Sequence, residues 1–86
     1  MEINQLILLV KNKIKNNVPI ENISIEDKTF LHKSHSSHQE GKFHLKLIIK
    51  SSELKKISKI ESTKKIYAII SDELKKYIHS IQILIN

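Results

Sequence analysis

The spacing of the apolar residues is the feature that most constrains the fold of this 86-residue chain. Apolar side chains recur in steps of three and four along residues 1–17 and 57–78, as one face of an α-helix requires. They alternate with polar side chains in residues 22–26, 43–50 and 80–85, which is typical of strands with one buried face. The predicted order is therefore helix, strand, strand, helix, strand.

Local signals predict where these elements begin and end. Proline cannot continue a helix, so Pro19 requires the first helix to stop before it. Residues 51–56 are predicted to form a turn or a short helical turn, with Ser52 as its candidate N-cap. Ser62 is the candidate N-cap of the second long helix, and Ile60 is predicted to belong to its apolar stripe.

This order of elements predicts one α+β domain that spans residues 1–86. The two helices are expected to cover one face of a single three-stranded mixed sheet, because a sheet must bury its apolar face against another layer. The first two strands are expected to pair antiparallel. The helix that joins the second strand to the third makes those two strands parallel.

The composition excludes several classes of protein. The chain has no cysteine, so it can form no disulfide and offers no thiolate ligand. No apolar run approaches the roughly 18 residues that span a bilayer, and the N-terminus does not resemble a signal peptide. A single glycine excludes a glycine-rich phosphate loop. Since no nucleophile–base arrangement or carboxylate pair stands out either, we expect the protein not to be an enzyme.

The net charge of +6 raises the question of nucleic-acid binding. However, all 15 basic residues are lysine, which cannot make the bidentate contact that arginine makes to guanine or phosphate. We therefore interpret most of this charge as a solvated surface.

Most of the histidines lie in or beside one polar stretch between the first and second predicted strands. His32, His35 and His38 follow one another at intervals of three, His44 is the second residue of the next predicted strand, and His79 lies near the C-terminus. Neutral imidazole binds zinc, copper and iron, so these residues are candidate metal ligands. Two alternatives stay open: the loop is a histidine-rich surface segment, or His79 only caps the end of the second helix.

Five short segments occur in a fixed order along the chain. They read DKTFLHKSH at 27–35, FHLKL at 43–47, KKIY at 64–67, SDEL at 71–74 and HSI at 79–81. In sequence and spacing they resemble the conserved segments of the BolA family. The chain departs from the family pattern where Ser62-Thr63-Lys64 replaces Arg-His-Arg, where Leu54-Lys55-Lys56 replaces Phe-x-Gly, and at Ser34, where the family has glycine.

The resemblance implies a fold and a partner. Family members have an α-β-β-α-β, KH-like fold and pair with monothiol glutaredoxins. Together the two proteins hold a [2Fe–2S] cluster for iron–sulfur assembly, trafficking or iron regulation, and the glutaredoxin and glutathione supply its thiolates. On this pattern His79 is the closing ligand, His32 is the loop ligand, and His35 is the reserve candidate. The isolated chain is then expected to be a cytoplasmic monomer without a cofactor.

The family is also linked to transcriptional regulation through a helix-turn-helix-like segment. DNA binding by the second long helix is therefore the alternative function, and it would use exposed lysines. These are Lys59, Lys64, Lys65, Lys75 and Lys76.

Overall fold

The protein is described here by a computed structural model that covers residues 1–29 and 42–86. It contains one three-stranded sheet and helices that pack on one face of that sheet. In chain order the elements are α1 (Ile3–Asn17), β1 (Asn22–Asp27), β2 (Phe43–Lys50), α2 (Ser52–Lys55), α3 (Lys59–Ile69), α4 (Ser71–Lys76) and β3 (Ile78–Ile85). The predicted α+β fold and the predicted order of its main elements are confirmed.

The pairing of the strands also follows the prediction. β1 pairs antiparallel with β2, from Asn22 opposite Lys50 to Asp27 opposite Leu45. β2 pairs parallel with β3, because the helices between them carry the chain back to the end of the sheet at which β2 began.

The second long helix differs from its prediction because it is interrupted at Ile70. This residue has φ −109° and ψ 26°, which ends α3 and starts α4. Ile70 is fully buried, so the chain turns at a core position. The predicted helix also ended too late, since Ile78 already belongs to β3.

The residues predicted to cap two of the helices were wrong, because a different serine caps each helix. Ser51, not Ser52, caps α2, because its side chain accepts a hydrogen bond from the backbone N–H of Leu54. Ser58 caps α3 through the backbone N–H of Glu61, whereas Ser62 is buried within that helix.

The core lies between the sheet and the helices and is almost entirely aliphatic. The central strand β2 contributes three buried apolar side chains and α1 contributes three more, at the positions that the two periodicities predict. The prediction that Ile60 belongs to the buried apolar stripe of the second helix is wrong, because this side chain is 69% exposed. The buried apolar residues are Leu6, Val10, Ile14, Val18, Ile23, Leu45, Leu47, Ile49, Leu54, Ile66, Ile70, Ile78 and Ile83.

Ser51 connects three parts of the chain at the end of β2. Its hydroxyl donates to the carbonyl oxygen of Pro19 at 2.8 Å and accepts from the N–H of Leu54 at 3.1 Å. Its own N–H donates to the carbonyl of Asn86 at 3.1 Å. The side chain is fully buried, so water cannot replace these bonds.

We expect Ser51→Ala to lower the free energy of unfolding by about 1–3 kcal/mol, because it removes both the cap of α2 and the hydrogen bond that the buried hydroxyl donates to the Pro19 carbonyl. Urea unfolding monitored by circular dichroism measures this loss. Ser52→Ala is the matched control. It removes an exposed hydroxyl that hydrogen-bonds to Glu21, and it should cost less. Equal losses in the two variants would contradict the role given to Ser51.

A second tertiary contact joins α1 to α4. The Lys13 ammonium lies 3.0 and 2.9 Å from the two carboxylate oxygens of Glu73. The Glu73 side chain is 6% exposed and that of Lys13 is 35% exposed, so the carboxylate is the buried partner.

Within the described part of the chain, no helix is both long and apolar enough to cross a membrane.

Candidate metal centre at the start of the parallel strands

A β-bulge lies where β2 and β3 begin. Phe43 is opposite Ile78, whereas the next residue, His44, is opposite Ser80. β3 therefore contains one residue more than β2 at this point, and that extra residue is His79. Bulges re-aim side chains at the ends of sheets and are frequent beside functional sites.

His44 is held at this end of the sheet by several hydrogen bonds. Its ring nitrogen Nδ1 lies 2.6 Å from the hydroxyl oxygen of Ser80. Its backbone N–H donates to the hydroxyl oxygen of Thr29 at 3.1 Å, and its carbonyl accepts from the N–H of Lys28 at 2.7 Å. The residue is only 5% exposed. The position of the imidazole is thus fixed by both neighbouring segments of chain.

The bulge brings the two histidines together. The ring centroids of His44 and His79 are 5.0 Å apart, and their planes are inclined at 58°. His79 is exposed, whereas His44 is buried. In this pair, the imidazole of His79 therefore faces solvent and packs against the buried imidazole of His44.

Asp27 orders the segment that leads into this site. Its carboxylate accepts hydrogen bonds from both the N–H and the hydroxyl of Thr29. Because Thr29 in turn accepts from His44, the end of β1 is tied to the start of β2.

The electrostatic surroundings of the histidine pair are mixed. The Lys28 ammonium lies 2.9 Å from the Glu26 carboxylate. This hydrogen bond, together with the charges of Lys28 and Lys46, lowers the pKa of Glu26 below its ordinary value. His44, Lys28 and Lys46 also line a cavity of about 340 Å³ on this part of the sheet. Since Glu26 offsets the charge of Lys28, the neighbourhood of the pair carries charges of both signs.

Of the ligands predicted from sequence, the structure places only His79. His32 and His35 lie outside the described residues, as does His38. His44 was among the candidate histidines but was given no role of its own, although the Phe43-His44 segment was part of the family resemblance. Among residues 1–29 and 42–86, no group of three histidine or acidic side chains surrounds a possible metal position.

The lysines of the alternative function lie on the two successive helices α3 and α4. All five are exposed, and none of them lies within ion-pair distance of a carboxylate among the described residues. They are Lys59, Lys64, Lys65, Lys75 and Lys76.

The fold and the site together define a small α+β domain with a histidine pair at one end of a mixed three-stranded sheet. A sequence model described as BolA-like protein matches residues 14–86. The chain therefore belongs to the BolA-like protein family, as its five short segments predicted. No curated protein matches the sequence.

Solved structures share this fold at low sequence identity. The BolA domain of SufE1 from Arabidopsis thaliana superposes with a TM-score of 0.76 at 23% identity, over 92% of this chain and 87% of that one. BolA1 from Arabidopsis thaliana gives 0.75 at 17% identity, with the same coverage of both chains. BolA1 from Mus musculus gives 0.73 at 15% identity, over 92% of this chain and 62% of that protein.

Proposed function

We propose that this protein is a non-enzymatic adaptor that binds a monothiol glutaredoxin and shares a [2Fe–2S] cluster with it and with glutathione. Membership of the BolA-like family supports this function. The observation that carries the proposal is the histidine pair, in which the bulge places His79 at the surface against the buried His44.

The residues present fit a shared cluster better than one held by this chain alone. A [2Fe–2S] cluster needs four ligands, usually thiolates, and histidine replaces thiolate in some centres. The chain has no cysteine, so a partner must supply the sulfur ligands. His79 is the exposed imidazole and is assigned as a ligand, with His32 as the second ligand and His35 in reserve.

His44 is assigned as a positioning residue. Metal-binding histidines are commonly oriented by a second layer of hydrogen-bonded groups. Here Ser80 fixes the His44 ring at Nδ1, and that ring contacts the ring of His79. His44 thereby limits the orientations that His79 takes when it meets the partner. The cluster would be the cargo of iron–sulfur assembly or trafficking, or the signal in iron regulation. The residues of this chain would supply one part of its ligands and hold them in position.

The function is tested by anaerobic reconstitution of the protein with a monothiol glutaredoxin, glutathione, iron and sulfide. We expect visible absorption and circular dichroism spectra that differ from those of the glutaredoxin homodimer, because imidazole replaces sulfur at part of the cluster. Spectra identical to those of the homodimer would contradict a shared cluster.

The two loop histidines have different expected effects. His32→Ala should weaken the cluster without weakening the association of the two apoproteins, because a ligand is lost but the protein surfaces remain. Titration of the cluster-bound complex with an iron chelator, beside calorimetry of the apoproteins, measures both effects. His35→Ala is the matched control. A larger loss of cluster in that variant would assign the loop ligand to His35.

DNA binding is the alternative function, and the five exposed lysines of α3 and α4 favour it. Binding of lysines to phosphates releases counterions and therefore weakens steeply as the salt concentration rises. Ligation by histidine weakens instead as the pH falls, since protonated imidazole does not coordinate a metal. Duplex binding with a steep salt dependence that Lys64→Gln and Lys65→Gln reduce would support the alternative.

A further inference from the structure

β3 is an edge strand whose outer side carries no other strand of the described chain. The sheet order is β1-β2-β3, so β3 pairs only through its inner side. Residues 78–85 contain no lysine, proline, aspartate or glutamate. Proteins commonly use such residues to prevent another strand from pairing with an exposed edge. β3 lacks this protection.

The hydrogen bonds at the end of β3 show which backbone groups face outward. The N–H of Asn86 donates to the carbonyl of Ile49 at 2.8 Å, and the carbonyl of Asn86 accepts from the N–H of Ser51 at 3.1 Å. In a parallel pair, alternate residues of a strand direct their N–H and C=O groups toward the same neighbour. Ile83 and Ile85 therefore direct theirs toward the outer edge.

A groove lies beside this half of β3. Its volume is about 330 Å³, and it lies between the end of β3, α2 and the start of α3. Leu54, Ile57 and Ile83 give it an apolar lining, and Leu54 is only 2% exposed. Lys55 and Lys59 also line the groove and are exposed.

The charge around the groove indicates what it binds. Two lysines and the N-terminal end of α3 make this surface favourable for carboxylates. A second copy of the chain fits poorly, because it would bring the same lysines and a net charge of +6 against this surface. Single-stranded nucleic acid also fits poorly, since no aromatic side chain or arginine lines the groove for stacking.

We propose that the outer edge of β3 binds an extended, acidic segment of a partner protein by β-strand addition. The segment's backbone pairs with the outward N–H and C=O groups of Ile83 and Ile85. One apolar side chain enters the groove against Leu54 and Ile57, and neighbouring carboxylates lie near Lys55 and Lys59. Strand addition gives affinity through backbone bonds and specificity through such side-chain pockets.

This surface lies at the opposite end of β3 from His79. It is therefore separate from the candidate metal centre, and its test contains no iron. A failure of strand addition would leave the proposed cluster function untouched, and a failure of cluster formation would leave strand addition untouched.

The test uses a blocked, fluorescent peptide of about six residues, a usual strand length, in which glutamate alternates with isoleucine. Fluorescence anisotropy should show saturable binding. Amide hydrogen exchange of the whole protein should show new protection at Ile83 and Ile85. Lys55→Glu combined with Lys59→Glu should weaken binding by at least about tenfold, which corresponds to roughly 1.4 kcal/mol. Lys50→Glu, an exposed lysine outside the groove, should change it by less than about twofold.

A second peptide tests the backbone pairing directly. It has the same side chains, but alternate amide nitrogens are methylated so that one edge cannot donate hydrogen bonds. We expect no measurable binding. Equal binding of this peptide, or binding of the first peptide without protection of Ile83 and Ile85, would overturn strand addition.

Three further results would also overturn the proposal. One is equal binding of a peptide in which lysine replaces glutamate. Another is sedimentation that shows a dimer protected at the same two amides without peptide, which would make a second copy the occupant. The last is displacement of the peptide from these amides by a single-stranded oligonucleotide.

Discussion

His79→Ala is expected to abolish the spectrum of the cluster shared with glutaredoxin while the fold stays intact. His79 is exposed and is the extra residue of the β-bulge, so its ring adds little to the core. We expect the free energy of unfolding to change by about 0.5 kcal/mol or less, as for most surface substitutions. We expect the cluster to be lost because the substitution removes the imidazole that is assigned as a ligand.

The experiment compares the reconstituted complexes of the wild-type and His79→Ala proteins by visible circular dichroism. Gln82→Ala is the matched control, because Gln82 is exposed on the same strand and lines the cavity beside the histidine pair. That variant should keep the cluster spectrum. An unchanged spectrum in His79→Ala would remove His79 from the ligand set.

His44→Ala should have an intermediate effect if His44 positions His79. The cluster should still form, but with an altered circular dichroism signal and faster loss to a chelator, because His79 is less constrained. Ser80→Ala removes the 2.6 Å contact to Nδ1 and should shift the same two quantities in the same direction. A complete loss of the cluster in His44→Ala would make His44 a ligand.

We expect Lys13→Met to lower the free energy of unfolding more than the same substitution at any other lysine that the structure describes. The substitution leaves the Glu73 carboxylate, 6% exposed, without its cation. Breaking a fully buried ion pair costs about 3–5 kcal/mol, and the partial exposure of Lys13 reduces this expectation to roughly 2–4 kcal/mol. A domain of this size is stable by only about 5–15 kcal/mol, so the loss is readily measured by urea unfolding.

Glu73 is more deeply buried than Lys13, and this difference in burial provides the control variants. Glu73→Gln should cost less, because the remaining lysine is 35% exposed and reaches water. The double variant Lys13→Met with Glu73→Leu should recover much of the stability, since no buried charge remains. Lys15→Met tests an exposed lysine on the same helix and should change stability by about 0.5 kcal/mol or less. Equal losses for Lys13→Met and Lys15→Met would contradict the importance of the ion pair.

The sequence predicted the fold where the signals were local. The steps of three and four placed Leu6, Val10 and Ile14 on the buried face of α1, and alternation placed Leu47 and Ile49 in the core. Both patterns depend only on the geometry of a single element. The cap of α2 was predicted one residue too late because Ser51 and Ser52 are adjacent and either hydroxyl can satisfy a helix end. The cap of α3 was predicted one turn too late because both Ser58 and Ser62 lie near the start of that helix.

Only part of the candidate site could be predicted from the sequence. His79 was assigned through the family resemblance, but its contact with His44 was not anticipated. The two residues are far apart in the chain, and the register of a parallel pair brings them together. The ion pair between Lys13 and Glu73 was missed for a similar reason, since it depends on how α1 and α4 pack.

By itself, then, the sequence determined the elements, their order and the family of this protein, because hydrophobic periodicity and short motifs act over a few residues. The tertiary structure decided the break at Ile70, the buried position of His44 and the bulge that sets His79 against it. These features arise when distant segments must share one core and one hydrogen-bonded sheet. Their geometry is therefore fixed by register and packing, which no local pattern specifies.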